Sequence, residues 1–358
     1  MSFTKEENLQ IKLGEQIYKK NTKIIPNPIN IHIVFATDNN YAQHCAVTIA
    51  SILMNSDNSS YFNFYILDGG ISLSNKKKIE YIKKYRMFSI QYFDMKKYDF
   101  SKFPLNRPWI SVSTYYRLVL PQLLPKNIDK ALYLDCDMVV ERDIKELWNT
   151  DISEYSAAVV EDDCSKENIK RLNLSSKNKY FNAGMILFNL KSIRKRDFTN
   201  DCIEYFRKNE NKILLQDQDI LNGVLNGKCK YVSQAWNTNF PIYRGSDSEQ
   251  HYYTREEEIK ECSRPGIIHY TTSDSKPWVN IHKNMASEYW KYFKYTGFYN
   301  VKNNVYSTLF AFFNKKGTEI YSLRLFKILP IFEIRELSRG ITKKYYIFNI
   351  LILKISRK

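Results

Sequence analysis

Residues 31–53 have the sequence IHIVFATDNNYAQHCAVTIASIL, a short apolar run followed by polar residues and a second, longer apolar segment. The first six residues are almost all apolar, as expected of a strand that is buried on both faces. Asp38, Asn39 and Asn40 come next and belong to the residue types that cap helices. Beyond them, apolar side chains recur at helical spacing. The stretch therefore predicts a strand, a turn and a helix.

The same alternation of strand and helix continues to about residue 160. Apolar runs predict further strands at Phe62–Leu67, Ser89–Phe93, Ala131–Leu134 and Ala157–Val160, and helices at Ser74–Tyr85, Ser113–Leu123 and Ile144–Trp148. This order is typical of an α/β fold with a mostly parallel sheet, which binds ligands beyond the carboxyl ends of its strands. Several apolar runs of this chain end in a carboxylate: Asp38, Asp68, Asp94, Asp135 and Asp162.

Composition and charge limit the class of protein. The 358 residues are 44% hydrophobic and 15% aromatic, which excludes general disorder. Lys and Arg number 54 against 38 Asp and Glu, and this surplus indicates an anionic partner. Residues 300–358 alone hold 12 basic against 3 acidic residues. The rest of the chain is nearly balanced and contains acidic pairs, so we expect no nucleic-acid partner.

The stretch ALYLDCDMVV, residues 131–140, carries the clearest chemical signal. Asp135 and Asp137, at i and i+2 of an extended chain, project to the same side and can share a divalent cation. A bare Asp-x-Asp pair also occurs in solvated turns, and Asp217-Gln218-Asp219 is a second copy that we do not expect to bind metal. The apolar runs on both sides of Asp135 favour the metal-binding interpretation.

Eight motifs in order resemble the family 8 retaining glycosyltransferases, nearest the bacterial lipopolysaccharide and lipooligosaccharide galactosyl- and glucosyltransferases. The resemblance extends from Ile31 to Trp278. The motifs are IHIVFATDNNYAQHCAVTIASIL, FYILDGGIS, FPLN, STYYRL, ALYLDCDMVV, YFNAGMILFNL, LLQDQDILNG and HYTTSDSKPW. The resemblance implies a Rossmann-like GT-A fold, a UDP-hexose donor and a Mn²⁺ cofactor, with Mg²⁺ as the other candidate.

The resemblance also implies a role for individual residues. Asp135 and Asp137 with His269 would ligate the metal, and Asp217, Gln218 and Arg117 would form the catalytic group. Ala36, Asp38 and Asn40 would hold the uridine and ribose, and Lys276 a phosphate. The implied donor-binding residues are Ala36, Asp38, Asn40, Arg117, Asp135, Cys136, Asn182, Ala183, Gly184, Asp217, Gln218, Thr272 and Lys276.

Simpler structural roles remain open for several of these residues. Asp38, Asn40 and Asp217 could cap helices, and Arg117 could form a structural ion pair. Gly184 could serve an ordinary turn, Gln218 could lie at the surface and His269 could be a core histidine. The segment from His269 to Lys276 also departs from the family pattern: it is one residue longer and has Thr272 in place of the usual glycine. We expect further acceptor contacts from residues 103–113 and 240–251.

The residues outside the matched region suggest three parts. We expect an N-terminal extension at 1–29, a GT-A catalytic domain at 30–280, and a helical, basic and aromatic region at 281–358. The last region is too short to span a bilayer and suits attachment to an anionic membrane surface.

The six cysteines are spread along the chain without a C-x-x-C pair, and the N-terminus has no apolar core of signal-peptide length. We therefore expect a cytoplasmic enzyme, peripheral on the inner face of the cell membrane. It would transfer galactose or glucose to a lipid-linked saccharide, with front-face attack favoured over double displacement. The alternatives are a self- or protein-glucosylating transferase and a non-catalytic scaffold protein on the same fold.

Overall fold

The structure is a computed structural model of the chain. It describes residues 28–106, 110–239, 256, 260, 263–273, 275–279, 281 and 285–299, and the backbone of five strands between 310 and 356. The chain divides into two compact units, residues 1–298 and residues 299–358. The N-terminal extension up to residue 27 and the predicted acceptor segment 240–251 lie outside the described residues.

The first unit is built on a seven-stranded sheet in the order β3-β2-β1-β4-β7-β6-β8, parallel throughout except at β7. A short antiparallel pair, β5 and β9, lies beside it. The strands are β1 (Ile29–Thr37), β2 (Ser60–Asp68), β3 (Ser89–Asp94), β4 (Lys130–Leu134), β5 (Met138–Val140), β6 (Ala157–Glu161), β7 (Phe181–Asn189), β8 (Cys229–Tyr231) and β9 (Ile267–His269).

Helices of this unit connect the strands. They are α1 (Ala42–Asn55), α2 (Leu73–Glu80), α3 (Leu120–Leu123), α4 (Lys145–Trp148), α5 (Ser165–Leu172), α6 (Leu190–Ile193), α7 (Phe198–Asn209), α8 (Gln216–Leu225) and α9 (Ala286–Phe293). Single 3₁₀ segments lie at Tyr81–Lys84, Met95–Lys97, Val112–Val119, Glu210–Lys212 and Gln234–Asn237. In the described part of the chain, no helix is long and apolar enough to cross a membrane.

Alternate residues of β1 face two hydrophobic cores, which is why its sequence is apolar on both faces. Ile33 and Phe35 pack in one core with α1, whereas Val34 packs in the other with residues of β7 and α8. The predicted α/β fold is confirmed, and the five predicted strands all lie within observed ones. The predicted helices after β1 and at Ile144–Trp148 are present, and Ser74–Tyr85 is α-helical to Glu80 and then 3₁₀. The segment predicted as a helix at Ser113–Leu123 is mostly 3₁₀, and only α3 at its end is α-helical.

The second unit corrects the prediction of a helical C-terminal region. Its described residues form a five-stranded antiparallel sheet with the strands in chain order. These strands are β10 (Phe310–Asn314), β11 (Ile320–Leu325), β12 (Leu329–Leu337), β13 (Thr342–Ile347) and β14 (Ile350–Ser356). Aromatic and β-branched residues are abundant here, and in β12 they alternate with charged ones, which favours strands over helices.

Helix α9 belongs to the first unit, although the sequence analysis assigned residues 281–298 to the C-terminal region. Tyr289 of α9 contacts His44 of α1 through its hydroxyl, at 2.7 Å from Nδ1. Tyr292 accepts a hydrogen bond from Asn55 Nδ2 at 2.6 Å. The described part of α9 is therefore anchored to α1. The functional division of the chain at residues 29 and 280 stays a prediction.

Candidate active site

The Asp-x-Asp turn follows β4 and is held from two sides. The Asp135 backbone N–H donates to the Gly184 carbonyl on β7 at 2.8 Å. The hydroxyl of Thr48, fully buried on α1, lies 2.9 Å from the Cys136 carbonyl and 2.8 Å from the Met138 carbonyl. These hydrogen bonds fix the main chain on both sides of the turn, from which the two carboxylates project.

The β5–β9 pair brings His269 to these carboxylates, since Met138 is the register partner of His269. His269 Nε2 lies 3.7 Å from Asp135 Oδ2 and 3.3 Å from Asp137 Oδ1. The ligand atoms of the three residues all lie within 4.8 Å of one another. Residues distant in sequence thus form one cluster of two carboxylates and an imidazole.

This cluster fits a divalent cation. Asp137 Oδ1 is buried and accepts no hydrogen bond of normal geometry from the described residues. Burial opposes ionisation of Asp137, but the charges of Lys276 and His269 more than offset it and lower the pKa of this carboxyl. An ionised carboxylate oxygen facing an imidazole nitrogen across a small gap is a ligand pair, and two carboxylates with one imidazole suit Mn²⁺ or Mg²⁺.

Gly184 is required by the position of His269. A Cβ atom at residue 184 would lie 2.3 Å from Cε1 of the His269 ring and 2.9 Å from the Met138 methyl. Such contacts are far inside van der Waals distance, so any side chain would displace the imidazole. The group that approaches Gly184 closely in this structure is therefore the His269 ring.

Arg117 joins the cluster to a second acidic group. Its Nη2 lies 2.7 Å from Asp135 Oδ1, its Nε lies 3.0 Å from Asp217 Oδ2, and its Nη1 donates to the Ala183 carbonyl at 2.6 Å. Burial opposes the charge of the guanidinium, but Asp135 and Asp217 raise its pKa above the ordinary value. The structural ion pair considered for Arg117 exists, and it lies inside the cluster rather than apart from it.

Asp217 and Gln218 lie in the first turn of helix α8. Asp217 is buried, and burial raises its pKa to about 6 against the opposing effect of Arg117. It does not cap α8, and it accepts a hydrogen bond from Thr114. The side chain of Gln218 is half-buried, and its Oε1 accepts from the Ala183 backbone N–H at 2.9 Å. Both residues therefore contact elements of the site.

Asp162 accepts hydrogen bonds from two amide side chains beside this cluster. Its Oδ2 accepts from Asn182 Nδ2 at 3.2 Å and from Gln218 Nε2 at 3.3 Å. Burial, with the nearby charge of Asp163, raises the pKa of Asp162 to about 6. Asp162 ends an apolar run of the sequence but is not among the predicted site residues. Asp68 and Asp94 show the same pattern and are turn-forming residues, so the pattern alone could not single out Asp162.

Replacing Asp162 with asparagine is expected to change how stability depends on pH. The raised pKa of about 6, against 3.8 for an ordinary Asp, means that the folded chain binds more protons than the unfolded chain between about pH 4 and pH 6. Stability contributed by this group therefore falls as pH rises through that window. Asparagine cannot ionise, so the variant should gain up to about 3 kcal/mol relative to the wild type from pH 4 to pH 7. Denaturant unfolding at several pH values measures this, and parallel profiles would contradict it.

The predicted nucleotide-binding residues lie at the end of β1. Cys136 Sγ lies 3.6 Å from the Ala36 carbonyl, so this strand end adjoins the Asp-x-Asp turn. Asp38 Oδ1 accepts from the backbone N–H groups of Asn40 and Tyr41, at 2.9 and 3.2 Å. Asp38 thus closes the turn into α1, while Asn40 is exposed. Their role toward a nucleotide stays a prediction.

The lengthened segment after His269 still brings Lys276 to the cluster. Lys276 Nζ contacts Asp137 Oδ2 and the Tyr270 carbonyl. The Thr272 N–H donates to Ser275 Oγ at 3.2 Å, which closes the segment on itself and leaves Thr272 exposed. Trp278 then stacks on His44 with ring centroids 3.5 Å apart. The extra residue is therefore accommodated without withdrawing the lysine.

Comparisons with known proteins agree with this geometry. The family model for glycosyl transferase family 8 matches residues 32–282. General stress protein A of Bacillus subtilis is 30% identical over 76% of this chain and 96% of its own length. The lipopolysaccharide 1,2-glucosyltransferase of Escherichia coli K12 is 27% identical over 74% of this chain and 76% of its own length. A crystal structure of the galactosyltransferase LgtC with donor and acceptor sugar analogues superposes with a TM-score of 0.65 and 26% identity, covering 77% of this chain and 99% of that one. By the extent of these matches and the site they contain, the chain belongs to glycosyl transferase family 8 and has the GT-A fold.

Proposed function

We propose that this family 8 glycosyltransferase moves galactose or glucose from a UDP-sugar to a lipopolysaccharide, lipooligosaccharide or related surface glycan, with retention of configuration. The cluster of Asp135, Asp137 and His269 carries the proposal, because it combines an ionised, buried carboxylate with an imidazole at ligand distances. Mn²⁺ is the proposed cofactor, with Mg²⁺ as the alternative. Bound there, the cation would neutralise charge on the departing UDP.

Different residues around the cluster would bind the nucleoside, the phosphates and the hexose of the donor. Ala36, Asp38 and Asn40 would face the uridine and ribose, and Lys276 would add a cation beside the phosphates. The hexose would lie along β7 and the start of α8, where the Gln218 side chain accepts a hydrogen bond from the Ala183 backbone N–H. The proposed hexose-facing residues are Arg117, Asn182, Ala183, Gly184, Asp217 and Gln218, and Cys136 and Thr272 would border the pyrophosphate.

Front-face attack is the proposed route to retention. Double displacement needs a carboxylate that can reach the anomeric carbon, yet Asp217 is buried and held by Arg117 and Thr114. Gln218 is a poor nucleophile, and both ends of its amide are hydrogen-bonded. In the proposed step the bond from the sugar to UDP breaks, the acceptor oxygen bonds the same face, and its proton passes to the departing phosphate oxygen.

The test is UDP release measured with UDP-Gal, UDP-Glc, UDP-GlcNAc and UDP-GalNAc, with Mn²⁺, with Mg²⁺ and with chelator. We expect release from one hexose donor that depends on the cation. A covalently trapped sugar on Asp217 or Gln218 would overturn the front-face route. Failure of every UDP-sugar to turn over or to shift the thermal unfolding temperature with Mn²⁺ would overturn the proposed donor.

We also propose that the C-terminal unit attaches to the anionic inner face of the cell membrane, where a lipid-linked acceptor lies. The register places Arg335, Lys344 and Lys354 side by side across three neighbouring strands. Residues 300–358 hold 12 Lys and Arg against 3 Asp and Glu, and an anionic lipid surface attracts such a basic region. This row of cations supports a peripheral location better than net charge alone does.

Replacing Arg335, Lys344 and Lys354 together with alanine should weaken binding to vesicles that contain phosphatidylglycerol. At about 1 kcal/mol for each basic residue near the surface, the loss should be roughly a hundredfold. Co-sedimentation with anionic and with neutral vesicles measures it. The matched control replaces three exposed lysines of the first unit, Lys126, Lys177 and Lys208, and should bind as the wild type does. Equal binding by both variants would contradict the attachment.

A further inference from the structure

We infer that Asn237 is a positioning residue: it fixes the protonation of the His269 ring and links the proposed metal site to the proposed sugar site. Asn237 is fully buried in the 3₁₀ segment Gln234–Asn237. Its Oδ1 lies 2.8 Å from His269 Nδ1, and its Nδ2 lies 2.9 Å from Asn182 Oδ1. It therefore stands between a proposed metal ligand and the strand proposed to face the hexose.

Main-chain donors determine the direction of every bond in this chain of amides. The backbone N–H of Gly184 can only donate, and it points at Asn182 Oδ1 at 3.0 Å. The Asn182 oxygen is therefore the end shared with Asn237, which must present its own NH₂ group there. The Asn237 oxygen is left facing the imidazole, so His269 Nδ1 carries a proton and donates it to Asn237, and Nε2 is the ring nitrogen that faces Asp135 and Asp137.

The same reasoning continues toward the start of α8. With its oxygen fixed by Gly184, Asn182 donates through Nδ2 to Asp162 Oδ2. The Ala183 N–H fixes the Gln218 oxygen in the same way, so Gln218 Nε2 also donates to Asp162. A continuous path of hydrogen bonds thus runs from His269 through Asn237, Asn182 and Asp162 to Gln218.

This path gives Asn237 two separable effects. Accepting from Nδ1–H orients the imidazole and raises the basicity of Nε2, and loss of such a partner typically lowers metal affinity by roughly 10–100-fold. The hydrogen bond that Asn237 donates to Asn182 fixes the Asn182 side chain, whose oxygen also accepts from the Gly184 N–H. Leucine at 237 removes both interactions while keeping the number of side-chain heavy atoms, whereas aspartate keeps the acceptor and removes the donor.

The experiment uses the full chain and two readouts. Mn²⁺ affinity is measured by electron paramagnetic resonance without nucleotide, and the ring protonation of His269 by ¹⁵N NMR of the metal-free protein, assigned with His269→Gln. We expect Nδ1–H in the wild type and in Asn237→Asp, with similar Mn²⁺ affinities. We expect roughly 10–100-fold weaker Mn²⁺ binding and loss of the preference for a proton on Nδ1 in Asn237→Leu. The control Asn239→Ala alters another buried asparagine just after this segment and should bind Mn²⁺ as the wild type does.

The inference rests on the proposed metal site for its affinity readout, and the NMR readout separates the two. Tight Mn²⁺ binding by the wild type and by Asn237→Leu alike would overturn the role of Asn237 and leave the proposed function standing. No Mn²⁺ binding by the wild type would overturn the metal site itself. An Nδ1 without a proton in the wild type overturns the inference whatever the metal does. Thermal unfolding of each variant without metal identifies any variant that fails to fold.

Discussion

Replacing Asp135 with alanine should lower cation-dependent UDP release by on the order of a thousandfold, since a divalent cation contributes several kcal/mol of charge stabilisation. The substitution removes one of the two carboxylates of the cluster and also the partner of Arg117 at 2.7 Å. The buried guanidinium is then left with Asp217 as its acidic partner among the described residues. Initial rates measured with and without Mn²⁺ give the comparison.

The matched control is Asp94→Ala. Asp94 also follows a strand of the same sheet and is exposed, where its carboxylate accepts from the Lys96 N–H. Its loss should leave the rate nearly unchanged. Metal-dependent turnover by Asp135→Ala within a factor of ten of the wild type would remove the Asp-x-Asp pair from the proposed site.

Replacing Asp219 with alanine should destabilise the fold by about 3–5 kcal/mol, because it breaks a buried ion pair from one side. Asp219 is fully buried and accepts from Arg171 at 2.7 and 2.8 Å, from the Tyr180 hydroxyl at 2.6 Å, and from the N–H groups of Leu214 and Leu215 at 2.8 Å each. All of these donors would lose their acceptor together. Denaturant unfolding monitored by circular dichroism measures the loss.

A surface pair of the same chemistry is the control. Asp201 lies 3.2 Å from Arg196 with both side chains partly exposed, and Asp201→Ala should cost no more than about 1 kcal/mol. A similar small loss for Asp219→Ala would show that its network contributes little. In the second Asp-x-Asp copy, the two carboxylates contact two different arginines, which favours the prediction that this copy does not bind metal.

The sequence predicts β1, β2, β4 and β6 well because these strands are largely buried and are therefore apolar runs. β7 was not predicted as a strand, because Asn182 and Gly184 interrupt its apolar run. Those two residues are where the strand meets the site: one holds an amide network and the other leaves room for His269. Function thus disturbs the pattern by which a strand is recognised.

Asn237 could not have been found in the same way. An isolated asparagine in QAWNTNF has no periodicity and no motif, and its importance depends on the pairing of residues from separate segments. The prediction of helices in the C-terminal unit was wrong for another reason. Its mixture of aromatic, aliphatic and basic residues was interpreted through charge and composition, whereas alternation along β12 carried the strand signal.

The pairing of β5 with β9 has a consequence for the order in which the protein is made. β5 directly follows the two aspartates, whereas β9, which supplies the imidazole, is translated much later. A nascent chain that has emerged only as far as α8 has its two carboxylates and Arg117 but neither His269 nor Lys276. Ribosome-bound intermediates and products of early termination that lack β9 therefore cannot assemble the cluster of Asp135, Asp137 and His269.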